Sequence, residues 1–109
     1  MTRPAIDALL IENNQSDALL FKSLIRSSQL TQLTLHHSER FKDALTSLES
    51  NRFDVILLDL CLPDGEGIGL VKQLRERTPQ VPIVVLTGIQ NQDAAIAALQ
   101  EGAQDYLVK

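Results

Sequence analysis

Five polar residues stand directly after short apolar runs of the sequence, at the points where predicted strands end. They are Glu12, Asn13, Asp59, Thr87 and Lys109. Two carboxylates brought close together would repel each other, so either one takes up a proton or a hard divalent cation such as Mg²⁺ lies between them. A carboxylate that faces a hydroxyl and an ammonium group can accept a phosphoryl group, because these neighbours stabilise the phosphoryl oxygens. The residue types therefore predict a phosphoryl-accepting site, provided that the fold brings the segment ends together.

Asp59 follows the most regular of these runs, Val55 to Leu58. Four consecutive apolar residues are too few for a helix and rich in β-formers, so they predict a strand that is buried on both faces. Pro63 and Gly65 follow and predict a loop, which places Asp59 at the carboxyl end of the strand, where open α/β sheets bind ligands. A lone aspartate at that point would more simply be a solvated strand-end acid. The other polar strand ends favour a functional role.

Short apolar segments alternate with amphipathic segments along the whole chain. The predicted strands cover 5–11, 33–36, 55–58, 83–86 and 106–108. Strands separated by helices imply right-handed crossovers and a parallel sheet. We therefore expect an α/β fold with a doubly wound, five-stranded, flavodoxin-like sheet in the order 2-1-3-4-5. This order puts the second segment, which alternates apolar and polar residues, at an edge with one wet side.

Helix signals flank the amphipathic segments. The N-cap candidates are Asn14 or Ser16 for the first helix, Ser38 for the second, and Asn91 or Asp93 for the fourth. Thr78 and Pro79 are expected to close the third helix, and Gly102 is expected to stop the fourth. The glycines at 65, 67 and 69 indicate loop flexibility and the start of the third helix rather than a dinucleotide site.

Length and composition bound the class of protein. The 109 residues are expected to form one domain, 1–109, with a single modest core. A formal net charge of -4 without a basic run argues against nucleic acid or an anionic membrane as a direct partner. The single cysteine, Cys61, cannot form an internal disulfide, and neither a signal peptide nor a membrane span is recognisable. We therefore expect a cytoplasmic location.

Four motifs, in this order and spacing, make the chain resemble a response-regulator receiver domain of two-component signalling, of the CheY-like kind. They are LLIEN at 9–13, VILLDLCLPDG at 55–65, VVLTG at 84–88 and EGAQDYLVK at 101–109. Each motif alone is weak, but the four together cover nearly the whole chain. The resemblance implies that Asp59 accepts a phosphoryl group from a histidine kinase or a phosphotransfer domain.

The same resemblance implies roles for the other residues. Mg²⁺ would be held by Glu12, Asn13, Asp59 and the main-chain carbonyl of Cys61. Thr87 and Lys109 would grip the phosphoryl oxygens. Thr87 and Tyr106 would then move as a switch and remodel the surface around the fourth helix and the fifth strand. The product is a conformational state, so the domain is not expected to be an enzyme.

Asn13 departs from the family pattern, because the family usually has a second Mg²⁺-ligating aspartate at this position. An amide oxygen can ligate but brings no charge. Two unit charges about 4 Å apart interact by roughly 4 kcal/mol at an effective dielectric constant of about 20, so losing even part of this attraction would weaken Mg²⁺ binding many-fold. The sequence therefore also admits a pseudo-receiver that signals without phosphorylation.

The end of the sequence is a second departure, because the family continues past Lys109 into a fifth helix. Either the sequence is a fragment of a longer chain, or the helix is truly absent and part of the sheet face shared with the first helix is expected to lack its cover. A homodimer, or a neighbouring element in the gap, would then be favoured. The sequence does not indicate which output domain, if any, follows.

Several of these residues also have simpler explanations. His36 and His37 are neighbours on a strand, so they point to opposite faces and cannot chelate one metal together. Cys61 lacks the arginine-bearing phosphate loop of a nucleophilic thiol, and Tyr106 is equally explained by sheet packing.

A small phosphatase with an aspartyl-phosphate intermediate is the alternative from a different functional class. Such an enzyme needs a second acid two residues after the nucleophile, and that position is Cys61. This counts against turnover.

Overall fold

The computed structural model describes residues 5–27, 32–62, 65–88 and 92–108, which form a parallel sheet, helices on both of its faces and a short hairpin. In chain order the elements are β1 (Ala5–Ile11), α1 (Gln15–Ser27), β2 (Gln32–Ser38), α2 (Phe41–Ser50), β3 (Val55–Asp59), β4 (Cys61–Leu62), β5 (Gly65–Glu66), α3 (Ile68–Arg77), β6 (Ile83–Thr87), α4 (Gln92–Gln100) and β7 (Asp105–Val108). The five-stranded sheet has the order β2-β1-β3-β6-β7. Because β6 and β7 are the fourth and fifth strands of this sheet along the chain, the predicted α/β class and the strand order 2-1-3-4-5 are confirmed.

The larger part of the core lies between the sheet and helices α2, α3 and α4. Leu9 and Ile11 of β1 point into this layer, whereas Leu10 points to the other face and packs with Ala18 of α1 and Leu86 of β6. Successive side chains alternate across a strand, so an unbroken apolar run is stable only where both faces are covered. The unbroken apolar run at 8–11 of β1, after the exposed Asp7, is therefore explained by the interior position of this strand.

The two edge strands, β2 and β7, are more exposed to solvent than the interior strands. In β2, Leu33 and Leu35 are half-buried whereas Thr34 and His36 are exposed, which confirms the predicted edge with one wet side. In β7, Tyr106 is half-buried and the other three residues are exposed. The alternation in β2 thus reflects its place in the sheet.

The sheet face that carries α1 is less completely covered. Leu35 and Leu57 are only partly buried there, and Leu107 at the β7 edge is 48% exposed. An apolar strip is thus present among the described residues, and the homodimer expected from it stays a prediction.

The cap of the first helix agrees with one of the two alternatives. Asn14 accepts a hydrogen bond on Oδ1 from the backbone N–H of Asp17, at 2.9 Å, so Asn14 is the N-cap and Ser16 lies inside α1. Asp93 likewise lies inside α4, and the other candidate cap, Asn91, is outside the described residues. No helix within the described ranges is long and apolar enough to cross a membrane.

The prediction that Ser38 caps the second helix is wrong. Ser38 is the last residue of β2, and its carbonyl accepts a hydrogen bond from the N–H of Glu12 at 3.0 Å. The parallel ladder between β1 and β2 holds Ser38 in an extended conformation, so α2 begins only at Phe41, after Arg40. A local cap signal was overridden by pairing with a distant segment.

Two short strands, β4 and β5, follow Asp59 where the sequence predicted a loop. β4 and β5 pair antiparallel, with Cys61 opposite Glu66, and the N–H of Gly67 donates to the carbonyl of Leu60 at 2.9 Å. Leu60 is buried, and buried backbone groups need hydrogen-bond partners, which the hairpin supplies. Pro63, the predicted strand breaker, lies outside the described residues. Gly67 has φ +75° and precedes α3, as the glycine spacing indicated.

Gly102 ends α4 as predicted and also meets another element. Its φ is +116°, and the N–H of Ala103 closes the helix end on the carbonyl of Ala98 at 3.0 Å. A Cβ at Gly102 would lie 3.2 Å from the side-chain carbons of Arg75. Partial burial lowers the pKa of Arg75 below its usual value, and the guanidinium donates to two carbonyls of the 79–81 turn. Arg75 thus ties α3 to the start of β6 and leaves no spare room at Gly102.

Gly102→Ala is expected to lower the free energy of unfolding by about 1 kcal/mol or more, because alanine disfavours the positive φ and its Cβ would crowd Arg75. Urea denaturation followed by circular dichroism measures the change. Gly69→Ala is the matched control, since Gly69 lies in α3 with nothing within 4 Å of its Cβ position. This control should raise stability by about 0.5 kcal/mol. A Gly102→Ala protein as stable as the wild type would contradict the prediction.

Candidate functional site

The register of the central strands brings three of the predicted site residues to one edge of the sheet. Glu12 directly follows the last pair between β1 and β3, which places it beside Asp59. Asp59 pairs with Leu86 of β6, and Thr87 is the next residue on that strand. Neighbouring strands lie about 4.8 Å apart, so each of the three backbones is about one strand spacing from the next. The predicted convergence of Glu12, Asp59 and Thr87 therefore follows from the strand pairing.

These three residues are nearly closed off from solvent. Glu12 is 0% exposed, Asp59 is 6% exposed and Thr87 is 2% exposed. The Glu12 carboxylate accepts a hydrogen bond from the N–H of Asn14 at 3.2 Å, and the Thr87 hydroxyl donates to the carbonyl of Gly88 at 3.2 Å. Two neighbouring acids with so little access to water are stabilised by a cation, which makes this edge of the sheet suited to bind one.

The donor chemistry at this edge fits Mg²⁺. Glu12 and Asp59 offer carboxylate oxygens, Asn13 is exposed beside Glu12 and offers an amide oxygen, and the main chain at Cys61 belongs to the hairpin that follows Asp59. Hard divalent cations bind oxygen ligands and retain water at open positions. No group of three or more His, Cys, Asp or Glu side chains suited to a metal is found within the described ranges. The candidate set accordingly combines two carboxylates with two neutral oxygens.

Two further predicted site residues belong to the end of the chain. Lys109 lies outside the described residues, but Val108 before it pairs with Thr87, so β7 runs toward the same edge. Tyr106 is half-buried and packs against the core on the side of α2, α3 and α4. Its neighbour in the register is Val85 of β6.

The two histidines lie on opposite faces of β2, as predicted. His36 Nε2 is 3.4 Å from Asp7 Oδ1, and its ring meets Phe53 edge to face at a centroid distance of 5.2 Å. His37 Nε2, in contrast, is 2.6 Å from the main-chain oxygen of Glu12. Sequence reasoning missed this contact, although the position of His37 near the carboxyl end of an edge strand beside β1 was a signal for it.

Comparison with known proteins adds independent information. The family model described as "Response regulator receiver domain" matches residues 8–109. The transcriptional regulatory protein ZraR of Salmonella typhimurium is 30% identical over 109 residues, which cover 100% of this chain and 24% of ZraR. The chain thus spans about a quarter of the length of that curated relative.

Two solved structures are similar in both fold and sequence. A two-component response regulator from Clostridium difficile has a TM-score of 0.83 and 28% identity, covering 95% of this chain and 83% of that one. The receiver domain of the sensor histidine kinase PA1611 from Pseudomonas aeruginosa PAO1 has a TM-score of 0.80 and 29% identity, covering 96% of this chain and 85% of that one. The Pseudomonas structure has a magnesium ion coordinated in its active site cleft.

Asn13→Asp is expected to tighten Mg²⁺ binding by about tenfold or more, because it adds a carboxylate charge next to Glu12. Titration with MgCl₂, followed by amide shifts in nuclear magnetic resonance (NMR) spectra, measures the dissociation constant.

Asn14→Asp is the control for this titration. It adds the same charge one residue further along and keeps an N-cap side chain for α1. We expect a clearly smaller effect from it. Equal affinities of the wild type and Asn13→Asp would show that position 13 does not contribute to the metal site.

Proposed function

The chain belongs to the receiver domain family of response regulators, and from this premise we propose that Asp59 accepts a phosphoryl group from a histidine kinase or a phosphotransfer protein. The observation that carries the proposal is the position of Asp59, which is 6% exposed at the end of β3, between Glu12 directly after β1 and Thr87 at the end of β6. A signalling role in the cytoplasm, with a conformational state as the output, belongs to the same proposal.

The proposed transfer is a displacement at phosphorus. A carboxylate oxygen of Asp59 forms the new P–O bond while the P–N bond of the partner's phosphohistidine breaks, and the imidazole leaves with the bonding electrons. The Thr87 hydroxyl can donate to a phosphoryl oxygen once it turns away from the Gly88 carbonyl. Lys109 would add a positive charge at the end of β7. These groups stabilise the charge on the phosphoryl group during transfer.

Glu12, Asn13, Asp59 and the main-chain carbonyl of Cys61 are the residues that we propose to hold Mg²⁺. When bound, Mg²⁺ would neutralise the phosphoryl oxygens and relieve the repulsion between the two carboxylates. The magnesium ion in the similar Pseudomonas receiver domain supports this assignment. The buried carboxylate of Glu12 supports it from this chain itself.

Thr87 and Tyr106 are the residues that we propose as the switch. Val85 and Thr87 are two residues apart on β6 and therefore face the same side of the sheet, where Val85 and Tyr106 share the core cluster. A movement of Thr87 toward the phosphoryl group would free space on that side, into which the half-buried Tyr106 ring could turn. The surface formed by α4 and β7 would change as a result.

Asn13 favours a second candidate function, a pseudo-receiver that signals without phosphorylation. It is exposed next to Glu12 and would leave a bound metal with one carboxylate fewer than the usual family pattern. Under this alternative, the conformational change of the domain would be caused by the binding of a partner protein and not by phosphoryl transfer.

Incubation with acetyl phosphate and MgCl₂ separates the candidates. A receiver should gain one stable phosphoryl adduct of about 80 Da by intact mass spectrometry, because Asp59 acts as the acceptor. Asp59→Asn is the matched control and should gain none. A wild-type protein that stays unmodified would support the pseudo-receiver, and continuous release of inorganic phosphate would support a phosphatase.

Thr87→Ala is expected to slow this modification, since it removes a hydrogen-bond donor from the phosphoryl-binding edge. A loss of about tenfold in the initial rate corresponds to one donor to a charged group. Thr87→Ser keeps the hydroxyl and should remain within about threefold of the wild type. If Thr87→Ala and the wild type react at the same rate, Thr87 does not touch the reacting group.

A further inference from the structure

We infer that His37 is a positioning residue for Glu12, holding the end of β1 so that the Glu12 carboxylate stays in place to ligate Mg²⁺. The inference rests on the proposed function, because it assigns a further residue to the same metal site. It depends on one contact, the 2.6 Å hydrogen bond between the His37 ring and the Glu12 main chain.

The direction of this hydrogen bond follows from its chemistry. The Glu12 main-chain oxygen can only accept, so His37 Nε2 must carry the proton and donate it. The ring is therefore held in the Nε2–H tautomer or in the doubly protonated form.

The bond extends the sheet beyond its last regular pair. Ile11 pairs with Ser38, and the N–H of Glu12 still donates to the Ser38 carbonyl at 3.0 Å. In a parallel ladder, the next donor to the Glu12 carbonyl would be the backbone N–H of Arg40. The chain bends at Glu39 and Arg40 to begin α2, and the His37 ring supplies a donor from the side.

Glu12 is consequently tied to β2 through both of its backbone polar groups. Its N–H binds the Ser38 carbonyl and its own carbonyl binds the His37 ring, while its side chain is fully buried. A metal ligand that is held by neighbouring groups loses less freedom on binding, and removing such support commonly weakens metal affinity. His37 itself is half-buried and lines a cleft of about 220 Å³ between α1 and β2, so its ring can be exchanged without opening the core.

The test compares side chains that differ in whether they can reach the Glu12 carbonyl. His37→Gln keeps an N–H donor at about the same distance from the backbone as Nε2. His37→Asn keeps the donor but is one carbon shorter, and His37→Leu removes it. His36→Gln is the matched control on the same strand, because His36 faces the opposite side and contacts Asp7 and Phe53 instead.

Mg²⁺ binding is measured by NMR titration with MgCl₂ alone, in the wild-type chain and in the Asn13→Asp background. We expect the dissociation constant to rise about 3- to 10-fold in His37→Leu and His37→Asn, the range that one net hydrogen bond accounts for. His37→Gln and His36→Gln should stay within about twofold of their parent. Leu and Asn variants that bind as tightly as their parent would overturn the inference.

A second measurement covers the case in which the Leu and Asn variants do not fold. Imidazole ¹⁵N shifts of the wild-type chain report which ring nitrogen of His37 carries the proton. An Nε2 proton that exchanges slowly with solvent, as a hydrogen-bonded N–H does, supports the inference, and a fast-exchanging or absent Nε2 proton overturns it.

The outcomes also separate this inference from the proposed function. If the wild type binds Mg²⁺ and takes up a phosphoryl group, and all His37 variants have the same dissociation constant for Mg²⁺, only the positioning role of His37 is refuted. If neither the wild type nor Asn13→Asp binds Mg²⁺ at all, both the proposed metal site and the positioning role of His37 are refuted.

Discussion

The repulsion between two buried carboxylates is the constraint on which the rest of this structure depends. Glu12, directly after β1, lies beside Asp59 at the end of β3, and 0% and 6% of their respective surfaces are exposed. In general, two unit charges about 4 Å apart repel by roughly 4 kcal/mol at an effective dielectric constant of about 20, against the 5–15 kcal/mol of stability typical of a small domain, so neighbouring buried acids favour a cation between them or a proton on one of them. The packing of the sheet must hold this arrangement in place, and the arrangement in turn is suited to a cation and a phosphoryl group.

The interior strands hold the site because their register cannot slip. A shift of one residue along β3 would move Asp59 to the opposite face of the sheet and turn Ile56 and Leu58 toward the less completely covered face that carries α1. Ile56 and Leu58 are fully buried against α2, α3 and α4, and this burial opposes any such shift. The same apolar contacts therefore stabilise the core and fix the position of Asp59 in the candidate site.

The edge strand β2 also provides hydrogen-bond partners for Glu12. Through the Ser38 carbonyl and the His37 ring it binds both backbone polar groups of Glu12. The acidic edge is thus held from one side by the register of β3 and from the other by β2. Asn13 follows Glu12 directly and is exposed. In this chain the acidic residue of the pair, Glu12, is therefore held by backbone hydrogen bonds, whereas the residue after it is neutral.

The sequence alone determined the elements and the strand ends that carry Glu12, Asp59 and Thr87, because apolar periodicity is a local property that burial imposes on each segment. It did not determine where α2 begins, that 61–62 pairs antiparallel with 65–66, or that His37 binds Glu12. Each of these depends on backbone groups that find partners in other segments, such as the N–H of Glu12 at the Ser38 carbonyl. Only the tertiary structure decides such contacts, since a polar group cut off from water takes the partner that the fold brings to it.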